Sequence, residues 1–361
     1  MKRMTLRLFE AALAPALSLS LSGFATAAPA SKTFRDWIAG CDNLKGCAAL
    51  SLPGEAAEQI AFLKLERPGG PTGTTSLSLK IRAEKLKAPL TADLAIDGAP
   101  FPAAGKRLAA TVVDQEIATI ALSPDETEAL IAAARKATKL SIALAGKSYD
   151  VSLAGSVAAM LWIDEQQGRL NTTSALIRRG ANTNVPAVPA LPVITAKGSA
   201  EPALPPKAAK ALTVALRKQL KRLDPDMCED APDDLPDAEG AWPLAGGERL
   251  VGLLCSRGAY NLSTAFWILQ GSDVAKARKA QFPQIDGKPD NVLVNAHFDP
   301  ATGQVGFFSK GRGIGDCGAS GNYAWTETGF VLTAFQAMDE CRGIASDDWI
   351  TLFRSEVKVV K

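Results

Sequence analysis

Short runs in which apolar and polar residues alternate recur along most of the chain. Residues 76–81 (SLSLKI), 92–96 and 109–113 show this period of two, which predicts strands with one buried face. Residues 140–144 and 149–153 repeat it on either side of Ala145-Gly146-Lys147, so the three stretches together predict a hairpin. Ser123-Pro124-Asp125-Glu126 has the residues of a capping box. The serine hydroxyl can take an amide of the first turn, the glutamate can reach back, and the proline suits the first helical position. A helix is therefore predicted over residues 124–136. Two more are predicted over 156–167 and 173–179, the last stopping at Gly180 as helices often do. Residues 34–182 read as a domain of mixed strands and helices.

The pattern breaks at residues 183–208 (TNVPAVPALPVITAKGSAEPALPPKA), which carry Pro186, Pro189, Pro192, Pro202, Pro205 and Pro206 and no aromatic residue. Proline removes backbone donors and favours extended geometry, so this stretch is a semi-rigid linker or an extended strap. A helix follows over 207–223, with Leu212, Leu216, Leu220 and Leu223 on one stripe and Lys210, Arg217, Lys218, Lys221 and Arg222 around it. A basic amphipathic helix can lie on a membrane surface. Here the apolar stripe is needed as core, and the cations sit favourably toward the helix C-terminus. Beyond it, residues 250–254, 264–269, 292–298, 304–308, 323–326 and 330–335 predict strands. The turns Asp299-Pro300-Ala301-Thr302-Gly303 and Thr326-Glu327-Thr328-Gly329 join neighbouring pairs in antiparallel fashion. The expected fold class is α+β in two domains: mixed strands and helices over 34–182, and a mainly antiparallel β meander or sandwich led by one helix over 209–361.

The first residues change the picture. Lys2, Arg3 and Arg7 precede an apolar run over 11–21, and Ala25-Thr26-Ala27 is a small-x-small site. This is the three-part pattern of a secretory signal peptide over 1–27, cleaved after Ala27, with Glu10 as an unusual acid at its edge. The run is too short to span a bilayer, and no transmembrane segment is expected. Lys2, Arg3, Arg7 and Glu10 carry the whole net charge of +2, which leaves the mature chain near neutral and without the global basic footprint of a nucleic-acid binder. The expected location is the periplasm or the cell exterior. All 6 cysteines lie beyond the cleavage site, and an even count in an oxidising compartment points to disulfides. Zinc needs close pairs such as C-x-x-C, which are absent. A domain boundary between the first two cysteines and the last four makes neighbour pairing the expectation: Cys41–Cys47, Cys228–Cys255 and Cys317–Cys341.

Few residues carry candidate chemistry. Residues 310–325 read KGRGIGDCGASGNYAW, and Gly313-Ile314-Gly315-Asp316-Cys317-Gly318 has the G-x-G-x-x-G spacing of a dinucleotide loop. Such a loop needs a helix after it, whose free amides hold the pyrophosphate. Turn residues and then a strand pattern follow instead, so the glycines are read as a tight turn fixed by a cysteine, and no cofactor is expected. His297 is the single histidine, which excludes multi-histidine metal sites; it reads as a strand residue. Asp224, Asp226, Glu229, Asp230, Asp233, Asp234, Asp237 and Glu239 crowd one stretch, but without the EF-hand spacing they read as a solvated loop and not a calcium or other metal site. Ser355-Glu356-Val357-Lys358 matches S-x-x-K by spacing alone, and no catalytic set assembles. The candidate binding residues are Lys310, Arg312 and Asp316 of the glycine loop, with Arg257, Tyr260 and Asn261 of a second loop that can face the same side of the sheet.

The stretches FRDWIAGCDNLKGCAAL, LWIDEQQGRLNTTSALIRRG, LCSRGAYNLSTAFWI, AHFDPATGQVGFFSKGRGIGDCG and YAWTETGFVL, in this order after a signal peptide, resemble the bacterial family catalogued as domain of unknown function 1176. That resemblance implies export and this architecture, and no activity. FRDWIAGCDN also resembles the opening of invasion-associated locus B proteins, which implies an envelope or secreted role. The expected function is a non-enzymatic binding or envelope-maintenance protein, whose partner is an anionic envelope glycan or peptide, or an envelope protein. A hydrolase of envelope glycan or peptide, with Asp164, Glu165 or Asp316 as acid and base, is the alternative. A lysozyme inhibitor is the further alternative, because Ser320-Gly321-Asn322-Tyr323 approaches an S-G-x-x-Y loop and falls one residue short.

Overall fold

The computed structural model describes residues 31–361 except 56–58, 103–105, 224–227, 229–238 and 286. Residues 1–27, expected to be a signal peptide, and the acidic residues from Asp224 to Asp237 lie outside the described residues. In the N-terminal half the strands are β1 (Ser31–Phe34), β2 (Trp37–Cys41), β3 (Cys47–Ser51), β4 (Ile60–Arg67), β5 (Ser76–Arg82), β6 (Leu90–Ile96), β7 (Ala99–Phe101), β8 (Leu108–Val113), β9 (Ile117–Ala121), β10 (Lys139–Leu144) and β11 (Lys147–Ser152). They form one antiparallel 11-stranded sheet in the order β1-β2-β3-β4-β5-β9-β8-β6-β10-β11, with β7 beside β6. The sheet curls until β11 lies against β4. Its concave side holds Leu63, Leu65, Leu79, Ile120, Leu140, Ile142 and Val151 in one apolar core. Helices α1 (Pro124–Ala134) and α2 (Ser156–Gln166) close that core with Leu130, Ile131, Met160 and Ile163. The capping box starts α1 as the sequence predicts: Ser123 Oγ accepts from Glu126 N at 3.3 Å, and Glu126 Oε2 accepts from Ser123 N at 2.8 Å.

Within residues 183–208, Val193–Lys197 forms β12 and runs parallel to the C-terminal strand, so this stretch is tied to the second half there. Helix α3 (Pro206–Leu223) packs Leu216 onto the next sheet, whose strands are β13 (Gly240–Pro243), β14 (Glu248–Arg257), β15 (Leu262–Gln270), β16 (Arg278–Lys279) and a fifth beside β15 from the short strands that come next. Three short strands follow, β17 (Phe282–Pro283), β18 (Pro289–Asp290) and β19 (Val292–Val294). Then come β20 (His297–Asp299), β21 (Gln304–Lys310), β22 (Gly318–Thr326), β23 (Gly329–Met338) and β24 (Ile350–Arg354), a 5-stranded meander in sequence order, and the final β25 (Glu356–Val360) beside β12. Leu250, Phe266 and Ile268 of one sheet pack against Val305, Tyr323, Trp325 and Phe330 of the other, as in a sandwich. The protein is thus mostly β, with three α-helices among the described residues. The expected run over 292–298 is broken in two at Asn295, whose φ is +46°. The three disulfides pair as expected: Cys41–Cys47, Cys228–Cys255 and Cys317–Cys341.

The two halves share a third core. Ile38, Leu50, Leu52 and Phe62 leave the outer face of β2–β4 and meet Met338, Ile344, Trp349, Ile350 and Leu352. The edge strand β24 lies across β2 and β3. Beside this core the β2–β3 turn clasps β24. Asn43 donates to the Arg354 carbonyl at 3.0 Å and accepts from the Arg354 amide at 2.9 Å, while Asp42 takes the guanidinium at 2.6 Å. The turn itself is stapled by Cys41–Cys47 and held by Asp42, which accepts from the amides of Leu44 and Gly46.

One predicted element is absent. Residues 173–179 are bends and turns and not a helix. Asp164, wholly buried on α2, accepts from the amides of Leu176 and Ile177 at 2.8 and 2.9 Å, the donors a helix there would use. Arg67 bonds Asp164 at 3.4 Å and the Ser174 carbonyl, while Arg169 bonds Gln167, Ser174 and the Gly70 carbonyl. Burial and the neighbouring Arg169 push the Arg67 guanidinium down to about 10 despite Asp164. The motif LWIDEQQGRLNTTSALIRRG is therefore the framework that ties α2 to the end of β4. Asp164→Ala leaves buried cations without their anion and is expected to cost about 3–5 kcal/mol in urea unfolding; a loss below about 1 kcal/mol would show that the network does not hold this corner.

Candidate functional site

Beyond the shared core the outer face of β3–β4 and the C-terminal sheet diverge, leaving a cleft of ≈ 410 Å³. Ala48, Lys64, Glu66 and Arg67 form one wall; Gln336, Thr351, Arg354, Asp347 and Trp349 form the other. A second hollow of ≈ 330 Å³ continues it over the open face of β21–β24, lined by Gly306, Ser320, Asn322 and Ala334, with Phe307, Phe335 and Phe353 at its border. Gln336, Thr351 and Arg354 line both, so the two make one groove. Its cations are matched, while Asp347 stands exposed. Arg354 is held by Asp42, and Lys64 pairs with Glu66 and Asp348, both at 3.2 Å. Asp348 also takes Lys80. The floor is polar and small: Ser320 Oγ accepts from Gln336 Nε2 at 3.0 Å, and the Asn322 amide lies over Gly306, where an added Cβ would approach its oxygen to 3.0 Å.

The candidate binding residues named from sequence are brought together, but largely by bonding to one another. Asn261 Nδ2 donates to the Lys310 carbonyl at 2.9 Å, its Oδ1 accepts from the Lys310 amide at 3.2 Å, and Tyr260 OH donates to the Gly311 carbonyl at 3.3 Å. Asn295, which sequence reasoning missed, donates to Asn261 Oδ1 and to the Phe308 carbonyl. An asparagine inside the expected run over 292–298 was the available signal, since Asn tolerates the left-handed conformation. Arg257 ends β14 opposite Leu262 and is exposed. Arg312 makes a two-pronged pair with Asp316 at 2.7 and 2.5 Å, and Asp316 also accepts from the Gly343 amide at 2.6 Å.

The glycine loop has a structural cause. Gly318 sits at φ +131°, and a Cβ there would come within 2.0 Å of the Ser309 carbonyl oxygen. One at Gly311 would meet Cys317 Sγ at 2.6 Å, so that glycine makes room for the disulfide. Strand β22 follows directly, with no helix N-terminus to receive a pyrophosphate.

The hydrolase candidates do not form an acid–base pair. Asp164 is sealed in its network and Glu165 faces solvent on the next position of α2. Burial would raise the Asp316 carboxyl, but Arg312 and the Gly343 amide outweigh it and hold it below the ordinary range, the wrong direction for a general acid. Ser355 Oγ donates to the Thr333 carbonyl at 2.8 Å. Ser320-Gly321-Asn322-Tyr323 lies inside β22 and is not a loop; Gly321 sits under the Phe307 ring and Tyr323 is buried. Among the described residues no cluster of His, Cys, Asp and Glu could hold a metal ion, and no helix is long and apolar enough to cross a membrane.

Because the folded-state pKa of Asp316 is depressed, its contribution to stability is complete above the unfolded value near 3.9 and fades as pH falls through the folded one. Asp316→Asn is expected to lower the Tm at neutral pH, with the gap from the parent closing below about pH 4; a gap that stays constant down to about pH 2 would show that the charge is immaterial.

The chain is similar to YpfG of Escherichia coli (strain K12), with 26% identity over 339 residues that span 91% of this chain and 93% of that protein. Among solved structures, invasion associated protein B from Bartonella henselae aligns with 38% of this chain and 96% of its own at 16% identity, with a TM-score of 0.28. The model of the family described as "Protein of unknown function (DUF1176)" matches residues 31–356. The clasp of Asp42 and Asn43, the Asp164 network and the stapled glycine loop are the structural content of the motifs read from the sequence, and the chain belongs to the DUF1176 family.

Proposed function

We propose that this is an exported, non-catalytic binding protein of the cell envelope, released by cleavage after Ala27 and working as two domains, 34–182 and 209–361, clasped around a groove. The observation that carries the reading is the groove itself. It lies where the halves meet, as binding sites often do, and is lined by amide, hydroxyl and guanidinium groups. Three disulfides fit an oxidising compartment. Of the carboxylates that would serve a hydrolase, Asp164 and Asp316 are engaged in structural bonds, and Glu165 stands on the exposed side of α2. The partner is an envelope glycan or peptide, met at the groove; the loop rim of Lys310, Arg312 and Arg257 contributes less, because the Arg312 charge is spent on Asp316.

A digest of peptidoglycan, separated into glycan and peptide fractions, is expected to raise the Tm of the mature protein without being consumed. Ligand at 100 times its Kd stabilises by about 2.7 kcal/mol, well within reach of a melting scan. Arg354→Ala, which opens the clasp beside the groove, is expected to weaken that shift. New products released from either fraction would overturn the non-catalytic reading.

A further inference from the structure

We propose that the open face of β20–β24 is a subsite for an uncharged stretch of a glycan chain laid across the strands. This rests on the binding reading above and names its ligand class. The register aligns His297 with Gly306, Gly306 with Asn322, Asn322 with Ala334, and Ala334 with Arg354. Directly opposed residues point to the same face, so imidazole, amide and guanidinium stand in one row with two small residues between them. At about 4.8 Å between strands the row runs about 19 Å, the length of a short oligosaccharide. A second row, Ser320, Gln336 and Thr351, lies beside it.

The chemistry of this lane selects its occupant. Gly306 and Ala334 leave flat places for a sugar ring, while the neighbouring groups offer donors and acceptors in several directions. The Asn322 amide and the Thr351 hydroxyl are exposed and make no side-chain hydrogen bond to the described residues. A buried donor or acceptor left unpaired in a complex is costly, so groups of this kind favour ligands rich in hydroxyls and amides. An anionic polymer is disfavoured, because Arg354 and Lys64 already face Asp42, Glu66 and Asp348. An extended peptide recognises a free strand edge, whereas one edge, β24, is covered by β2 and β3, and the other, β20, is only 3 residues long.

The test uses the mature full-length protein with tetra-N-acetylchitotetraose, cellotetraose and tetragalacturonate as probes, read by calorimetry. At least one neutral tetrasaccharide is expected to bind with a Kd that holds from low to high salt, since no net charge is exchanged. Asn322→Ala and Thr351→Ala are each expected to weaken it about tenfold while leaving the Tm unchanged, because both side chains are exposed. Binding of tetragalacturonate alone, lost at high salt, would overturn the proposal, as would neutral binding that both variants leave intact. If the neutral probes fail while peptidoglycan fragments still bind in an Arg354-dependent way, the lane inference falls and the binding reading stands. If no fragment binds either, both fall.

Discussion

Strands β2 and β3 and the first half of β4 are buried on both faces, and the rest of the structure depends on that. Trp37, Ala39, Ala49, Leu63 and Leu65 point into the N-terminal core, while Ile38, Leu50 and Phe62 point the other way into the core shared with β24. A sheet with two apolar faces cannot be left half uncovered in water. At about 25 cal/mol per Å² of apolar surface, exposing the outer face would forfeit several kcal/mol, comparable with the whole stability of a domain. The C-terminal half is therefore part of what keeps the N-terminal sheet folded.

Polar contacts fix the geometry that burial alone leaves loose. Asp42 and Asn43 set where β24 crosses the β2–β3 turn, and Asp348 ties the short turn before β24 to Lys64 and Lys80. The groove is a by-product of these constraints. It opens where the apolar residues stop and the two sheets part, so its walls come from Lys64 and Glu66 on one side and Gln336, Thr351 and Arg354 on the other. The motifs read from the sequence specify this frame more than they specify a site, so strong patterns in the sequence point to no reaction.

Much of the fold was legible because its signals are local. The capping box at Ser123, the hairpin around Ala145-Gly146, the strand runs of the C-terminal half and the Cys41–Cys47 pair are all set by residues close in sequence. Strands β2, β3, β4 and β24 answer to no run singled out in the sequence, and two further things were not legible. The helix expected over 173–179 lost its amides to Asp164, a contact made from the preceding helix. The continuous apolar run WIAGC was a sign of burial on both faces, but nothing nearby says what covers the second one. The candidate site followed the same division. Tyr260 and Asn261 do meet Lys310, yet through bonds that hold the loops, whereas the groove joins residues far apart in the chain and so leaves no local motif.

The central claim is that the two-faced sheet binds both halves into one cooperative unit. Native-state hydrogen exchange across a denaturant series tests it most directly, because it resolves the opening free energy of each segment. The amides of β2–β4 and of β22–β24 are expected to converge on a single global opening. An N-terminal sheet that opens at clearly lower free energy while β22–β24 stays protected, or the reverse, would contradict the account.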